Sequence, residues 1–165
     1  MSITADRSIY FQGLATRLLF ATEAQSLLEH ELAPGALGSP LHTHAHEDEV
    51  SYVISGLLGV QIGDEVREAR AGETVVKPRG VQHAFWNPGD EPVRFVELIT
   101  PGGFEQYFAD VEPIAEPPDF AALAVVAERY GLDVDPLSIS VLAGEHGLNL
   151  GPCPTEAQNS PARGQ

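Results

Sequence analysis

From Thr16 to Ile99 short apolar and β-branched runs alternate with Gly, Pro, Asp and Asn, and helical periodicity is absent. A chain interrupted this often can build only short strands joined by tight turns. Candidate strands fall at 16–21, 26–33, 40–44, 50–55, 57–62, 65–69, 73–77, 83–87 and 92–99. Between them lie turn signals such as Ala33, Pro34 and Gly35, or Asn87, Pro88, Gly89 and Asp90. So many short strands in about ninety residues predict a sandwich or closed barrel. The 16 Gly and 13 Pro among 165 residues support that reading, because together they are over-represented against average usage.

Charge narrows the classes of partner. Nine Lys and Arg against 24 Asp and Glu leave a formal charge of −15, the opposite of the footprint that attracts nucleic acid or anionic lipid. Neither partner is expected. Cys153 has no second cysteine to pair with, which is cytosolic usage. Asp6, Arg7 and Arg17 interrupt the first twenty residues, so no secretory h-region is read there. No stretch approaches the roughly 20 apolar residues of a spanning helix. The expectation is a soluble cytoplasmic protein.

The pattern changes after Thr100. Phe104 to Phe108 place aromatics at one-turn helical spacing, and Asp119 precedes Phe120, Leu123, Ala127 and Tyr130 before Gly131. An acidic N-cap, a helical apolar stripe and a terminal glycine predict a helix over 119–131. It would pack on the barrel or on a partner subunit. Three segments are expected: a barrel with an N-terminal arm over 1–110, a helical extension over 111–150, and a flexible tail over 151–165.

His42, His44 and His46 crowd one short segment, followed by Glu47, Asp48 and Glu49. On a strand, residues i and i+2 share a face about 6–7 Å apart, so His42 and His44 can converge on one point. Glu49 has the wrong parity for a continuous strand. The chain must turn within 45–48, after which Glu49 opens the next strand and returns to the same point. Two imidazoles and a carboxylate suit a divalent transition metal, although this segment alone reads equally well as a solvated loop. His83 supplies a fourth candidate on a later strand.

The two histidine segments together resemble the paired motifs of the cupin superfamily. His42, His44, Glu49 and Gly56 match the first motif, and Gly72, Pro78, Gly80, His83 and Asn87 match the second without a gap. Fifteen residues separate Gly56 from Gly72, a short spacer typical of microbial members. One departure exists, because the first motif opens with Gly where this chain has Ala36, flanked by Gly35 and Gly38. The resemblance implies an all-β cupin jelly-roll barrel with a C-terminal α-helical extension. It also implies one divalent transition metal per chain (Fe, Ni, Mn, Co, Cu or Zn) held by His42, His44, Glu49 and His83.

His46 matches no ligand position and is read as a solvated loop residue. His30, between Leu28 and Leu32, is read as an interior histidine with a pocket role as the alternative, and His146 carries no signal. Alternation from Glu49 sends Ser51 and Val53 inward, and alternation from His83 sends Phe85 and Asn87 inward. With His30 these are the expected pocket residues. Phe95 is assigned to the core. The directions of Lys77 and Arg79, beside the Pro78 turn, stay open.

The family supports several chemistries, and function resides in the site rather than the fold. The leading expectation is a non-haem dioxygenase resembling the quercetin-dioxygenase-like cupins, acting on a small aromatic or enolisable substrate with Glu49 as ligand and proton acceptor. An isomerase, cyclase or lyase, or a non-catalytic ligand-binding module, are the alternatives. Edge strands of an open barrel predict a homodimer, with residues 1–15 and the 119–131 helix contributing.

Overall fold

The computed structural model describes residues 8–11, 13–115 and 117–149. Ten strands occur before the first helix: β1 Ser8–Phe11, β2 Leu14–Ala21, β3 Ser26–Leu32, β4 Leu37–His44, β5 Asp48–Ser55, β6 Leu57–Ile62, β7 Glu65–Arg70, β8 Thr74–Lys77, β9 His83–Trp86 and β10 Val93–Thr100. Then come α1 Glu105–Val111, a 3-10 turn Glu112–Ile114, α2 Phe120–Arg129, β11 Leu132–Val134 and α3 Ser138–His146. The strands form two antiparallel sheets, ordered β1-β2-β3-β10-β5-β8 and β11-β4-β9-β6-β7. This is the jelly-roll arrangement: from β3 to β10 the chain crosses between the sheets at every step except β6 to β7, and both inner faces share one core.

Alternation builds the interior. In β10 the inward residues are Val93, Phe95, Glu97 and Ile99, and in β5 they are Glu49, Ser51 and Val53. The barrel centre is filled by Leu32, Val53, Leu58, Val60, Phe85 and Phe95. A second apolar cluster joins the barrel to α1 and α2 through Leu28, Ile99, Phe104 and Ala127. β9 departs from alternation, because all four of its residues are buried. The reason is α3 and the residues just after it: Leu142 and Leu148 cover Ala84 and Trp86 from outside, and the His146 ring stacks on Trp86 at 4.1 Å.

Two expectations need correction, the start of β4 and the all-helical extension. β4 begins at Leu37 rather than residue 40, since Gly38 and Pro40 lie where the β4–β9 register shifts, and bulges admit residues that otherwise signal turns. Gly38 is required where it stands, because a Cβ there would sit 2.1 Å from the Phe85 ring. β1 went unread within the N-terminal arm. The 119–131 helix stands as read: α2 is Phe120–Arg129 with Asp119 as N-cap, its Oδ1 accepting from Ala122 N at 3.0 Å, and Gly131 follows at positive φ. The extension read as helical contains β11, which pairs with β4 and sets Leu132 opposite His44 and Val134 opposite His42. The expected tail over 151–165, with Cys153, lies outside the described residues.

Candidate metal centre

The turn at 45–47 reverses the chain between β4 and β5, so the parity mismatch of Glu49 is resolved by a turn. A second turn, at Pro78 to Gly80, is fastened to the first. Gly80 N donates to His44 O at 2.9 Å, and the exposed Arg79 side chain grips Asp48 Oδ2 through Nε and Nη2 at 3.1 and 2.7 Å. Arg79 therefore points outward, and Asp48 is spent on the turn rather than the interior. This link fixes where β9 starts, and with it His83.

His42, His44, Glu49 and His83 are brought together, each buried, with one donor atom apiece lying within 4.8 Å of the others. His42 Nδ1 donates to Pro40 O at 2.9 Å and His83 Nδ1 donates to Val81 O at 3.0 Å. His44 Nδ1 faces the Glu47 carboxylate at 3.4 Å. Anchoring Nδ1 this way turns the Nε2 lone pair inward, the usual support of a metal-bound imidazole. Nε2 of His44 and of His83 are buried without a hydrogen bond. Orphaned buried acceptors beside a carboxylate are costly unless something binds them, and a divalent transition ion fits this donor set. Burial, with the adjacent His83, pushes the His42 pKa down to about 3, so its ring is neutral and ready to ligate.

Lys77 is the interior cation that spacing left undirected. It is 1 % exposed, its Nζ lies 2.9 Å from Glu49 Oε2, and it also contacts Glu97 Oε1. Burial opposes ionisation of all three groups and the two carboxylates repel each other, yet the attraction of each to Lys77 outweighs both. Glu49 is held well below the usual carboxylate range, Glu97 is pulled down to about 2 with help from His30, and Lys77 is raised. Ser51 Oγ donates to Glu97 Oε1 at 2.7 Å. Sequence reasoning missed Glu97, although it stands on the inward face of β10 among Val93, Phe95 and Ile99, a visible anomaly of parity.

Above the donor set opens a cavity of about 270 Å³. Phe85, Phe104, Tyr107 and Phe108 line it, with Leu123 and Ala127 from α2 and Leu132 and Val134 from β11. The Phe104 ring meets His44 edge-on at 4.5 Å. Glu49 and Glu97 are the acidic lining residues, and no Lys or Arg lines the cavity among the described residues. Of the expected pocket residues, Phe85 lines it, whereas His30, Ser51, Val53 and Asn87 do not. His30 lies behind Glu97, with Nδ1 2.9 Å from Thr16 Oγ1 and Nε2 3.4 Å from Glu97 Oε2. Ser51 faces Glu97, Val53 is in the core, and Asn87 donates to the backbone carbonyls of Leu32 and Glu91. His46 is exposed. The aromatics at 104–108 carried a visible helical spacing, but nothing local told that their helix folds back over the barrel.

The cupin-domain family model matches residues 28–99. Polyketide synthase CurC of Streptomyces cyaneus is 32 % identical over 92 residues, 54 % of this chain and 60 % of that protein. Among solved structures, KdgF from Halomonas sp. superposes with a TM-score of 0.53 at 21 % identity, covering 57 % of this chain and 84 % of that one. A cupin-superfamily sugar phosphate isomerase from Silicibacter pomeroyi superposes with a TM-score of 0.50 at 26 % identity, covering 53 % and 59 %. The chain spans 60 % of the length of that curated relative and 44 % of the length of a second, protein SchB of Streptomyces halstedii.

Proposed function

Because the chain belongs to the cupin superfamily, we propose that it is a metal-dependent non-haem dioxygenase acting on a small aromatic or enolisable molecule. The observation that carries this reading is three imidazoles and one carboxylate converging beneath an otherwise apolar, aromatic-walled cavity. A divalent ion held there supplies Lewis acidity and open positions for an oxygen donor. The chain supplies the rest. Phe85, Phe104 and Phe108 offer flat apolar surfaces that hold a ring and keep water from it. Glu49 offsets one positive charge while Lys77 fixes its second oxygen. Without Lys or Arg among its lining, the cavity does not favour a phosphorylated sugar.

A non-oxidative cyclase or isomerase is the second reading, favoured by the likeness to a polyketide synthase. The test is an oxygen-electrode assay on protein loaded separately with Fe, Ni, Co and Mn, against flavonols and diketones. Oxygen uptake coupled to substrate loss with at least one metal is expected. Substrate loss that persists without oxygen would transfer the site to the second reading, and no conversion at all would contradict both. The reading includes a cytoplasmic homodimer. Tyr52, Ile54 and Val76 leave apolar area on the outer face of the six-stranded sheet, which a symmetry mate can cover.

A further inference from the structure

The family model ends at residue 99, yet two side chains beyond it stand beside the metal donors. β11 joins the edge of the five-stranded sheet next to β4, with Leu132 opposite His44 and Val134 opposite His42. Cross-strand partners share a face, with Cβ atoms about 5 Å apart, so both aliphatic side chains follow the imidazoles inward. Asp133, opposite Thr43, is exposed on the other face. His42, His44, Leu132 and Val134 all line the cavity, and Leu132 packs in one apolar cluster with Phe104. A molecule that reaches the two imidazoles from the cavity therefore meets Leu132 and Val134 beside them.

This wall is held at both ends. Ala45 N donates to Gly131 O at 3.0 Å before β11, and Asp135 N donates to Leu41 O at 2.9 Å after it. Ser138 Oγ accepts from Leu41 N at 2.8 Å and donates to Asp135 O at 2.7 Å, which ties the end of β11 and the start of α3 to β4. Gly131 permits the close approach, since a Cβ there would sit 3.0 Å from the His46 ring. Side chains on a strand fastened in this way cannot swing clear of a bulky ligand, and overlap with them is destabilising.

We infer that β11 sets the steric selectivity of the site: Val134 and Leu132 admit a ligand that is slim beside its metal-binding atom and turn away one that is branched there. For the function proposed above, on which this step rests, the substrate is an enol or phenol whose carbons flanking the oxygen carry no branched group. Val134 is then a specificity-determining residue supplied by the extension rather than by the family's own barrel.

The experiment titrates imidazole and 2-isopropylimidazole into the Co-loaded full-length protein and reads the visible spectrum of the ion. The branched group of the second probe flanks either ring nitrogen, and comparing the ratio of the two affinities between protein variants cancels the difference in basicity. A methyl or methylene of misfit in an apolar pocket is worth roughly tenfold or more. Val134→Ala is therefore expected to raise the relative affinity for 2-isopropylimidazole about tenfold while imidazole stays within about twofold. Val134→Thr, which keeps the branched outline, should leave the ratio as in wild type. Val134→Leu should shift the ratio against 2-isopropylimidazole. That reversal separates a steric wall from a loosened strand, which could only relax the discrimination. An unchanged ratio in Val134→Ala, a Val134→Thr variant that behaves like Val134→Ala, or relaxed discrimination in Val134→Leu overturns the inference. If Val134→Ala does not fold, Val134→Leu decides: a ratio shifted against the branched probe supports the inference, and an unchanged or relaxed ratio contradicts it. The titration needs no turnover, so absent oxygen uptake would remove the dioxygenase reading and leave this result standing, and an unchanged ratio would do the reverse.

Discussion

Glu49 occupies a position where shape and charge can be separated by one substitution. Glu49→Gln preserves the outline of the side chain but removes the negative charge that balances the ion and pairs with Lys77. Turnover is expected to fall by about tenfold or more in a steady-state assay, with the folded circular dichroism spectrum retained. Asp48→Asn removes the charge of the exposed pair with Arg79 but keeps an oxygen that can accept from Arg79 N and hold the turn, so turnover should stay nearly unchanged. Acid stability of the metal-free protein is a second consequence at this scale. His42 titrates near 3 when folded and near 6.5 when unfolded, and Glu97 near 2 against 4.5. In both windows the unfolded chain binds the extra proton, so stability falls as the pH drops from 6.5 toward 2. Urea midpoints after chelation should decrease steadily across that range, and a flat profile would contradict the burial assigned to these groups. The four donors could be read in the sequence because each sits in a dense, spaced motif. Lys77 and Glu97 could not, because their partners lie on strands far apart in the chain, and an isolated charge reads by default as a solvated one.

At the scale of elements, the short strands declared themselves through turn residues, and α2 through Asp119 and Gly131. What stayed hidden was partnership. Nothing within Leu132, Asp133 and Val134 signals a strand, since its pairing is supplied by β4 from ninety residues earlier. Gly38 hid the start of β4 for the same reason, because a bulge is a property of two strands and not of one. The extension walls the cavity through α2 and β11, whereas all four candidate metal donors lie on β4, β5 and β9. Removing the helix cap with Asp119→Ala should therefore cost about 1 kcal/mol in denaturant unfolding and loosen the cavity mouth, raising substrate KM. Metal content should not change. Loss of metal in this variant would show that the extension helps to build the donor set itself.

For the molecule as a whole, the interior and the surface have divided the charge between them. A formal −15 is carried mostly outside, where it favours solubility over attraction to polyanions, while one lysine and two glutamates are locked inside the barrel. The exposed apolar area on the six-stranded sheet predicts self-association. Light scattering at tens of micromolar should give twice the 17.7 kDa of the chain, and a 17.7 kDa species would contradict the dimer. α2 buries Val126 and Ala127 on its own chain but leaves Phe120 and Val125 exposed, so α2 and the outer sheet both offer apolar area for pairing. Every functional conclusion depends on whether the barrel holds an ion. Elemental analysis of gently purified protein, with the His44→Ala/His83→Ala double variant alongside, measures that directly. One transition-metal ion per chain in the wild type and almost none in the folded double variant is the predicted result, and a double variant that keeps its metal unchanged would contradict the assignment.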